Sequence, residues 1–164
     1  MAHLQAVVFT QTVTLPLGAW KARGRKRHHL KRMRQFAVLW RGRVVRATAR
    51  GLTLCFADAA DAVSWALDVQ HRIASGNVER PTAPQVLHRI GIHMGSATSK
   101  EVVHFAVCLQ AEAEAGGICV SGELYESART RMNVRAVPRG SKKFSDAGSL
   151  MEIYQLPLYG PKVA

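Results

Sequence analysis

The sequence predicts an α+β domain, a two-layer sandwich of the ferredoxin-like kind in which helices cover a mixed β-sheet. Three observations predict it. The length of 164 residues suits one compact domain with its own core, so we expect residues 1–164 to form a single domain. Short β-branched runs alternate with helical patterns along most of the chain. Two further short runs around a polar loop, at about 134–156, predict a closing hairpin.

The first third begins with a strand and continues with a basic helix. Leu4–Phe9 is a β-branched run typical of a buried strand, and the TQTVTLPLG stretch after it is loop-like. A helical segment at about 21–41 follows, because apolar residues recur there at spacings of three and four, as the positions of Leu30, Met33, Ala37 and Trp40 show. Val44–Thr48 and Leu52–Phe56 then form a hairpin around Ala49-Arg50-Gly51.

The middle of the chain alternates helices and strands. Helices are predicted at Asp58–Ala74, with Asp58 or Asp61 as its cap, and at Lys100–Ala115. Gly76–Pro84 is predicted to be a linker because it contains two prolines. Strands are predicted at Val86–His93 and Ile118–Val120.

The last part is predicted to hold a short helix and the closing hairpin. Ser121 is expected to cap the helix GELYESAR. The hairpin strands are predicted at Val134–Val137 and Glu152–Leu156.

The positive charge is confined to the first third of the chain. The net charge is +12, yet the first acidic residue is Asp58, and the 57 residues before it carry twelve Lys or Arg. From Asp58 onward there are eleven acids and eleven bases. A segment without compensating acids creates a field that favours an anionic partner. The densest contacts are expected from eight residues, namely Lys21, Arg23, Arg25, Lys26, Arg27, Lys31, Arg32 and Arg34.

Composition also narrows the class of protein. No apolar run approaches the roughly 20 residues that span a bilayer, and the first residues lack the pattern of a secretory signal. Cys55, Cys108 and Cys119 are odd in number and lack CxxC spacing, which favours buried thiols in a reducing, cytoplasmic setting. We expect no cofactor.

Several stretches resemble one family in the same order. They are "GRVVRATARGLTLCFADAADAVSWALDVQHRI", "HRIGIHMG", "AEAEAGGICVSGELYE" and "MEIYQL". Together they resemble the catalytic domain of class III adenylate and guanylate cyclases over about residues 6–156. The resemblance implies the cyclase type of α+β sandwich, and it implies domains that pair head to tail, which leaves a homodimer open.

In that family two aspartates hold two Mg²⁺ ions for phosphoryl transfer. At the matching positions this chain has Gln11, at the end of the first strand, and Arg50, at the hairpin turn. An amide is a weak ligand, and a guanidinium carries only donors and cannot bind a cation. The resemblance therefore implies a degenerate, inactive member of the family, without a metal.

The other catalytic positions also differ. The family's helix supplies an asparagine and an arginine, and the matching residues here are His104 and Cys108. The purine-pocket lysine corresponds to Arg46. Only residues 96–102 separate Gly95 from Val103, so the family's β-arm is expected to be shortened.

These residues leave several interpretations open. Arg50 could clamp a phosphate together with Arg46, but an exposed turn arginine is favoured. His93, His104 and Cys108 could hold a metal, but ordinary packing is favoured. Trp20 is a candidate exposed contact.

Three hypotheses for function follow. The first is an inactive cyclase-like domain that docks to an acidic protein or larger complex through its basic third. The second is sequence-independent nucleic-acid binding by the same surface. The third is metal-free nucleotide sensing.

Overall fold

The computed structural model describes residues 4–14, 22–83, 85–145 and 148–158. Lys21 and Trp20, which the sequence offers as contacts, lie outside these ranges. The strands are β1 (Gln5–Thr14), β2 (Gly42–Ala47), β3 (Leu52–Phe56), β4 (Val86–Gly95), β5 (Ile118–Ser121), β6 (Val137–Lys142) and β7 (Met151–Leu156). The helices are α1 (Arg23–Leu39), α2 (Ala59–Glu79), α3 (Lys100–Glu112) and α4 (Gly122–Arg129).

The seven strands form one mixed sheet with the order β2-β3-β1-β4-β5-β7-β6. β4 and β5 are parallel and are connected through α3, whereas the other neighbouring strands are antiparallel. A parallel pair needs such a crossover, and a helix is the usual means. The predicted α+β class with a mixed sheet is confirmed.

The two faces of the sheet carry different helices. α1, α2 and α4 pack on one face in the main core, around the fully buried Trp65. α3 packs on the other face with a smaller core that includes Leu109 and Ile153. A Cβ on Gly91 would lie 2.2 Å from the carbonyl oxygen of Ala106, so glycine lets α3 approach the backbone of β4.

β1 is longer than predicted. The sequence suggested a loop after Phe9, but β1 continues to Thr14, which lies opposite Val86 of β4. The prediction was wrong because β4 gives every residue of β1 a backbone partner, which the alternating threonines alone do not reveal. This extension holds Gln11 inside a strand.

α2 is also longer than predicted, and it continues past Ala74 and Gly76 to Glu79. Buried Asn77 explains the extension, since its amide donates to the carbonyl oxygen of Val86 and accepts from Arg25. Tertiary hydrogen bonds therefore extend the helix into the segment that was predicted to be a linker. At the other end of α2, Asp58 is the cap and accepts from the Ala60 amide.

The remaining differences lie near the end of the chain. α3 stops at Glu112 instead of Ala115, because Ala113 takes an extended backbone conformation. β6 lies at Val137–Lys142, inside the segment predicted to be a loop, and Pro138 is tolerated there because β6 is an edge strand. α4 forms as predicted, with the Ser121 hydroxyl accepting from the Leu124 amide.

Within the described ranges no helix combines the length and apolar character needed to cross a membrane.

Candidate functional site

The turn between β2 and β3 lies directly against β1. The Thr12 amide donates to the Arg50 carbonyl at 2.7 Å, and the Leu52 amide donates to the buried Thr10 hydroxyl at 2.9 Å. A Cβ on Gly51 would lie 1.9 Å from the Thr10 carbonyl oxygen, so only glycine permits this approach. Gln11 therefore lies between two residues that contact the turn carrying Arg50.

The surroundings of Gln11 are amides and a second arginine. The Gln110 amide donates to the Gln11 side-chain oxygen at 3.4 Å, and Arg89 of β4 lies opposite Gln11. The Arg89 Nε and the Gln110 Oε1 are buried without a hydrogen-bond partner in the structure. We did not single out Arg89 or Gln110 from the sequence. Arg89 could have been identified from its position inside a strand that the sequence predicts to pair within the sheet.

This arrangement does not fit Mg²⁺. Divalent magnesium needs oxygen ligands, usually with carboxylates among them, and Arg50 offers only donors from its side chain. The backbone carbonyl of Arg50 is already used by Thr12. Among the described residues no group of three His, Cys, Asp or Glu side chains is placed to hold a metal ion.

The two candidate positions on α3 contact each other and the chain before β7. His104 Nε2 lies 3.2 Å from the Phe144 carbonyl oxygen and 3.5 Å from Cys108 Sγ. Burial, with the charge of Glu112 second, raises the pKa of the Cys108 thiol. The thiol is thus a poor nucleophile and a poor metal ligand at neutral pH.

His93 is engaged elsewhere. Its Nδ1 lies 2.8 Å from the Ser121 hydroxyl, and its ring meets Phe105 edge-on at 5.5 Å. Burial lowers the pKa of His93 against the opposing charges of Glu123 and Glu101. The Nδ1 atom and the ring face of His93 are therefore engaged in packing within the domain.

The two nucleotide candidates are both exposed. Arg46 lies on β2 opposite Thr53, after a bulge in the pairing of β2 with β3. Arg50 lies at the turn, where its amide donates to the Thr48 hydroxyl at 3.2 Å. No contact between the two guanidinium groups is part of this arrangement.

α1 carries the basic segment, and its cations do not all face solvent. Arg25 turns towards α2 and donates to Asn77 at 2.8 Å, so it anchors the helix. Arg32 is exposed and lies over the ring of Phe36, 5.2 Å from the ring centre. Arg25, one of the eight expected contact residues, is therefore engaged within the domain.

The remaining cations border a groove between α1 and the turn of the β2–β3 hairpin. We call it the basic groove. Its volume is about 560 Å³. Its cations are Arg23, Lys26, Arg27, Lys31 and Arg34. Its apolar lining comes from Leu30, Ala47, Ala49 and Leu52.

Buried polar contacts fix the opposite side of α1. His29 Nδ1 and His88 Nε2 lie 3.2 Å apart, and the Trp65 indole donates to the Met33 carbonyl at 3.1 Å. Burial, together with Arg25 and His28, lowers the pKa of His29 to about 4. Burial, with His29 and Lys26, lowers the pKa of His88 to about 3. Both rings are therefore neutral at pH 7.

Comparison with solved structures identifies this architecture. The adenylate/guanylate cyclase/hydrolase from Silicibacter pomeroyi superposes with a TM-score of 0.81 over 93% of this chain and 95% of that chain, at 20% identity. The adenylyl cyclase CyaB from P. aeruginosa gives 0.78 over 98% and 97%, at 17% identity. The chain has the class III nucleotide cyclase fold. The resemblance drawn from the sequence motifs is confirmed at the level of fold.

Sequence comparison adds a match over part of the chain. The Rhizobium meliloti (strain 1021) protein named "Putative adenylate cyclase 3" is 27% identical over 105 residues, which are 60% of this chain and 18% of that protein. The chain thus matches less than a fifth of the relative's length. No protein-family model matches the sequence. Within the cyclase fold, the described part of this chain passes from β4 to α3 through residues 96–99 alone, in keeping with the expected short arm.

Proposed function

We propose that this chain is a catalytically inactive domain of the cyclase fold, which acts as a binding subunit and docks to an acidic partner through its basic N-terminal third. One observation carries the proposal. Gln11 and Arg50 match the two metal-binding acids of the family, and Gln11 precedes Thr12, whose amide donates to the Arg50 carbonyl where β1 meets the hairpin turn. The side chains of Gln11 and Arg50 do not provide the oxygen ligands needed to hold the two metal ions that phosphoryl transfer in the family requires.

The surrounding charge supports the same interpretation. Arg89 is the partner of Gln11 on β4, so a further positively charged residue lies next to this position. A cation about 4 Å from a divalent ion would oppose binding by several kcal/mol even at an effective dielectric near 20. On α3, neither His104 nor Cys108 supplies the fixed positive charge that a guanidinium supplies to a transferring phosphate.

The docking part of the proposal is supported by the cations of α1. Within the described ranges, the ion pairs between side chains are formed by Arg41, Arg72, Arg129, Arg131 and Lys142. The exposed cations Arg23, Arg27, Lys31 and Arg34 are absent from that set. Nucleic-acid binding by the same surface is the alternative, and it would weaken steeply between 50 and 200 mM salt.

A cyclase assay tests the inactivity. Purified protein is incubated with ATP or GTP and either Mg²⁺ or Mn²⁺, and cyclic nucleotide is separated by chromatography. We expect no product above the protein-free blank. Product formation that rises in proportion to protein concentration and is abolished by EDTA would overturn the proposal, because it would show that metal-dependent cyclisation proceeds without the two acids.

A further inference from the structure

We infer that the basic groove binds an acidic, amphipathic segment of a partner protein, whose carboxylates pair with the cations of α1 and whose apolar side chains fill the groove floor. The inference rests on the proposed function and specifies its partner. The groove lies beside α1, whereas the Gln11 side chain contacts Gln110 of α3 on the other face of the sheet, so the inference is tested separately from the absence of cyclase activity.

The wall of the basic groove is a row of cations on one face of α1. The cations stand at helix positions i, i+3, i+4, i+8 and i+11, namely Arg23, Lys26, Arg27, Lys31 and Arg34. Residues at such spacings share one side of a helix. Within the described ranges, no acidic residue lines the groove. The cations therefore retain their capacity to pair with carboxylates from outside the chain.

The floor of the basic groove is apolar. Leu30 on α1 and Ala47 on β2 contribute to it, and the nearly buried Leu52 closes it beneath. The cationic face then continues into Val38, four residues after Arg34, whose exposed fraction is 74%. A complementary ligand must therefore bring apolar side chains as well as negative charge.

The groove is held in a fixed shape from behind. Arg25 is bound to Asn77, and His29 is hydrogen-bonded to His88, both on the side of α1 that faces the body of the domain. Trp65 fixes the middle of the helix through the Met33 carbonyl. A preformed site loses less conformational entropy on binding, which favours a specific contact over loose charge attraction.

The same lining argues against nucleic acid as the occupant. Single-stranded nucleic acid binds through phosphate contacts combined with bases stacked on aromatic rings. Among the residues that the structure describes, no aromatic side chain lines the basic groove. Phosphate oxygens would gain nothing from Leu30, Ala47 and Leu52, whereas aliphatic side chains of a peptide would bury apolar area there.

The dimensions set the length of the partner segment. α1 has 17 residues, so it is about 25 Å long at 1.5 Å per residue. An extended peptide covers this length with roughly seven or eight residues at about 3.4 Å each. Four or five acidic residues alternating with aliphatic ones would match the five cations and the floor.

The experiment measures fluorescence anisotropy of three labelled probes at 50 and 150 mM NaCl. The first probe is an eight-residue peptide that alternates Glu and Leu, the second has Ser in place of each Leu, and the third is an eight-nucleotide oligouridine. We expect the Glu/Leu peptide to bind at least about tenfold more tightly than either other probe at 150 mM salt, since each buried aliphatic side chain adds affinity.

Variants locate the binding. The double variant Arg27→Glu, Lys31→Glu should weaken the Glu/Leu peptide at least about tenfold. Ala47→Asp, an exposed position on the floor, should do the same without touching the core. The matched control Arg135→Glu, Lys143→Glu makes the same change in net charge at exposed positions outside the groove, and it should bind as the unaltered chain does.

Thermal unfolding verifies that each variant is folded. Equal or tighter binding of oligouridine, equal binding of the Ser peptide, or an equal loss in the control variant would overturn the inference. None of these results bears on cyclase activity. A failure here is therefore distinct from a failure of the proposed inactivity.

Discussion

His29 and His88 form a hydrogen bond between α1 and β4, with 3.2 Å between Nδ1 of the first and Nε2 of the second. The Thr12 hydroxyl lies 3.4 Å from the other nitrogen of His88. One assignment of protons satisfies all three groups: Thr12 donates to His88 Nδ1, and His88 Nε2 donates to His29. It requires both rings to be neutral, and Arg25, Lys26 and His28 nearby favour that state.

We predict that this pair makes the protein unstable in mild acid. The pKa values are about 4 for His29 and about 3 for His88 in the folded chain, below the ordinary 6.5. The unfolded chain therefore binds more protons, and the free energy of unfolding falls as pH drops from about 6.5 towards 3. Each unit of pKa shift corresponds to about 1.4 kcal/mol for the deeply buried His88, and His29 contributes less per unit because solvent screens its charge, so the loss by pH 4 is several kcal/mol.

Urea unfolding at intervals between pH 7.5 and 4 measures this dependence. His29→Gln should make the decline shallower, because one of the two buried titrating groups is removed. His28→Gln, at an exposed position of the same helix, is the matched control and should alter the decline far less than His29→Gln does, because His28 is the smallest of the causes that lower the pKa of His29. If the free energy of unfolding fell with pH equally steeply in the unaltered chain and in both variants, the acid sensitivity would arise from other residues.

The second prediction concerns the contact between the hairpin turn and β1. Gly51→Ala should destabilise the protein by about 1–3 kcal/mol, because the new Cβ would overlap the Thr10 carbonyl, which cannot move without breaking the strand pairing. Gly24→Ala is the control, since its Cβ would meet nothing within 4 Å and helical alanine is favoured over glycine by about 0.5–1 kcal/mol. The midpoint of chemical denaturation should shift in opposite directions for the two variants. A shift in the same direction would contradict the close approach of Gly51 to the Thr10 carbonyl.

The third prediction concerns the buried end of α2. Asn77→Ala should lower the free energy of unfolding by about 1–3 kcal/mol, because it leaves the Val86 carbonyl and the Arg25 guanidinium without their partner. Asn133→Ala, at an exposed position, should change it by less than about 0.5 kcal/mol. If Asn77→Ala were equally neutral, the anchoring of α1 through Arg25 would not matter for stability.

Sequence patterns predicted the strands and helices where local periodicity is strong. The predicted bounds of β3, Leu52–Phe56, are those of the structure, because the residues of this strand are apolar and lie between the hairpin turn and the cap of α2. The extension of β1 to Thr14 and of α2 to Glu79 was missed, because both depend on partners far away in the chain. Asn77 shows the cause: its two hydrogen bonds join segments that no window of local sequence contains.

The arrangement of the candidate positions could not be predicted from the sequence. Motif order offered Gln11 and Arg50 as candidates, and the structure shows the amide of Thr12, the neighbour of Gln11, donating to the Arg50 carbonyl. The sequence counted Arg25 among the outward contacts because charge alone does not reveal direction, and Asn77 draws it inward. The His29–His88 pair was not predicted, since its two residues are 59 positions apart and the resemblance gives neither of them a role. Its formation needs the packing of α1 on the sheet.

The last prediction reverses the loss of metal ligands. Gln11→Asp with Arg50→Asp places two carboxylates where the turn meets β1, and it removes the guanidinium that repels a cation. We expect the double variant to bind Mn²⁺, with a melting temperature raised by roughly 3–6 °C at tenfold excess over Kd. The unaltered chain and the variant Gln11→Asn, Arg50→Lys should show no such rise, because neither has the carboxylates that a divalent ion prefers. A rise of equal size in all three proteins, reversed by EDTA, would place the metal elsewhere and remove the argument that Gln11 and Arg50 exclude it.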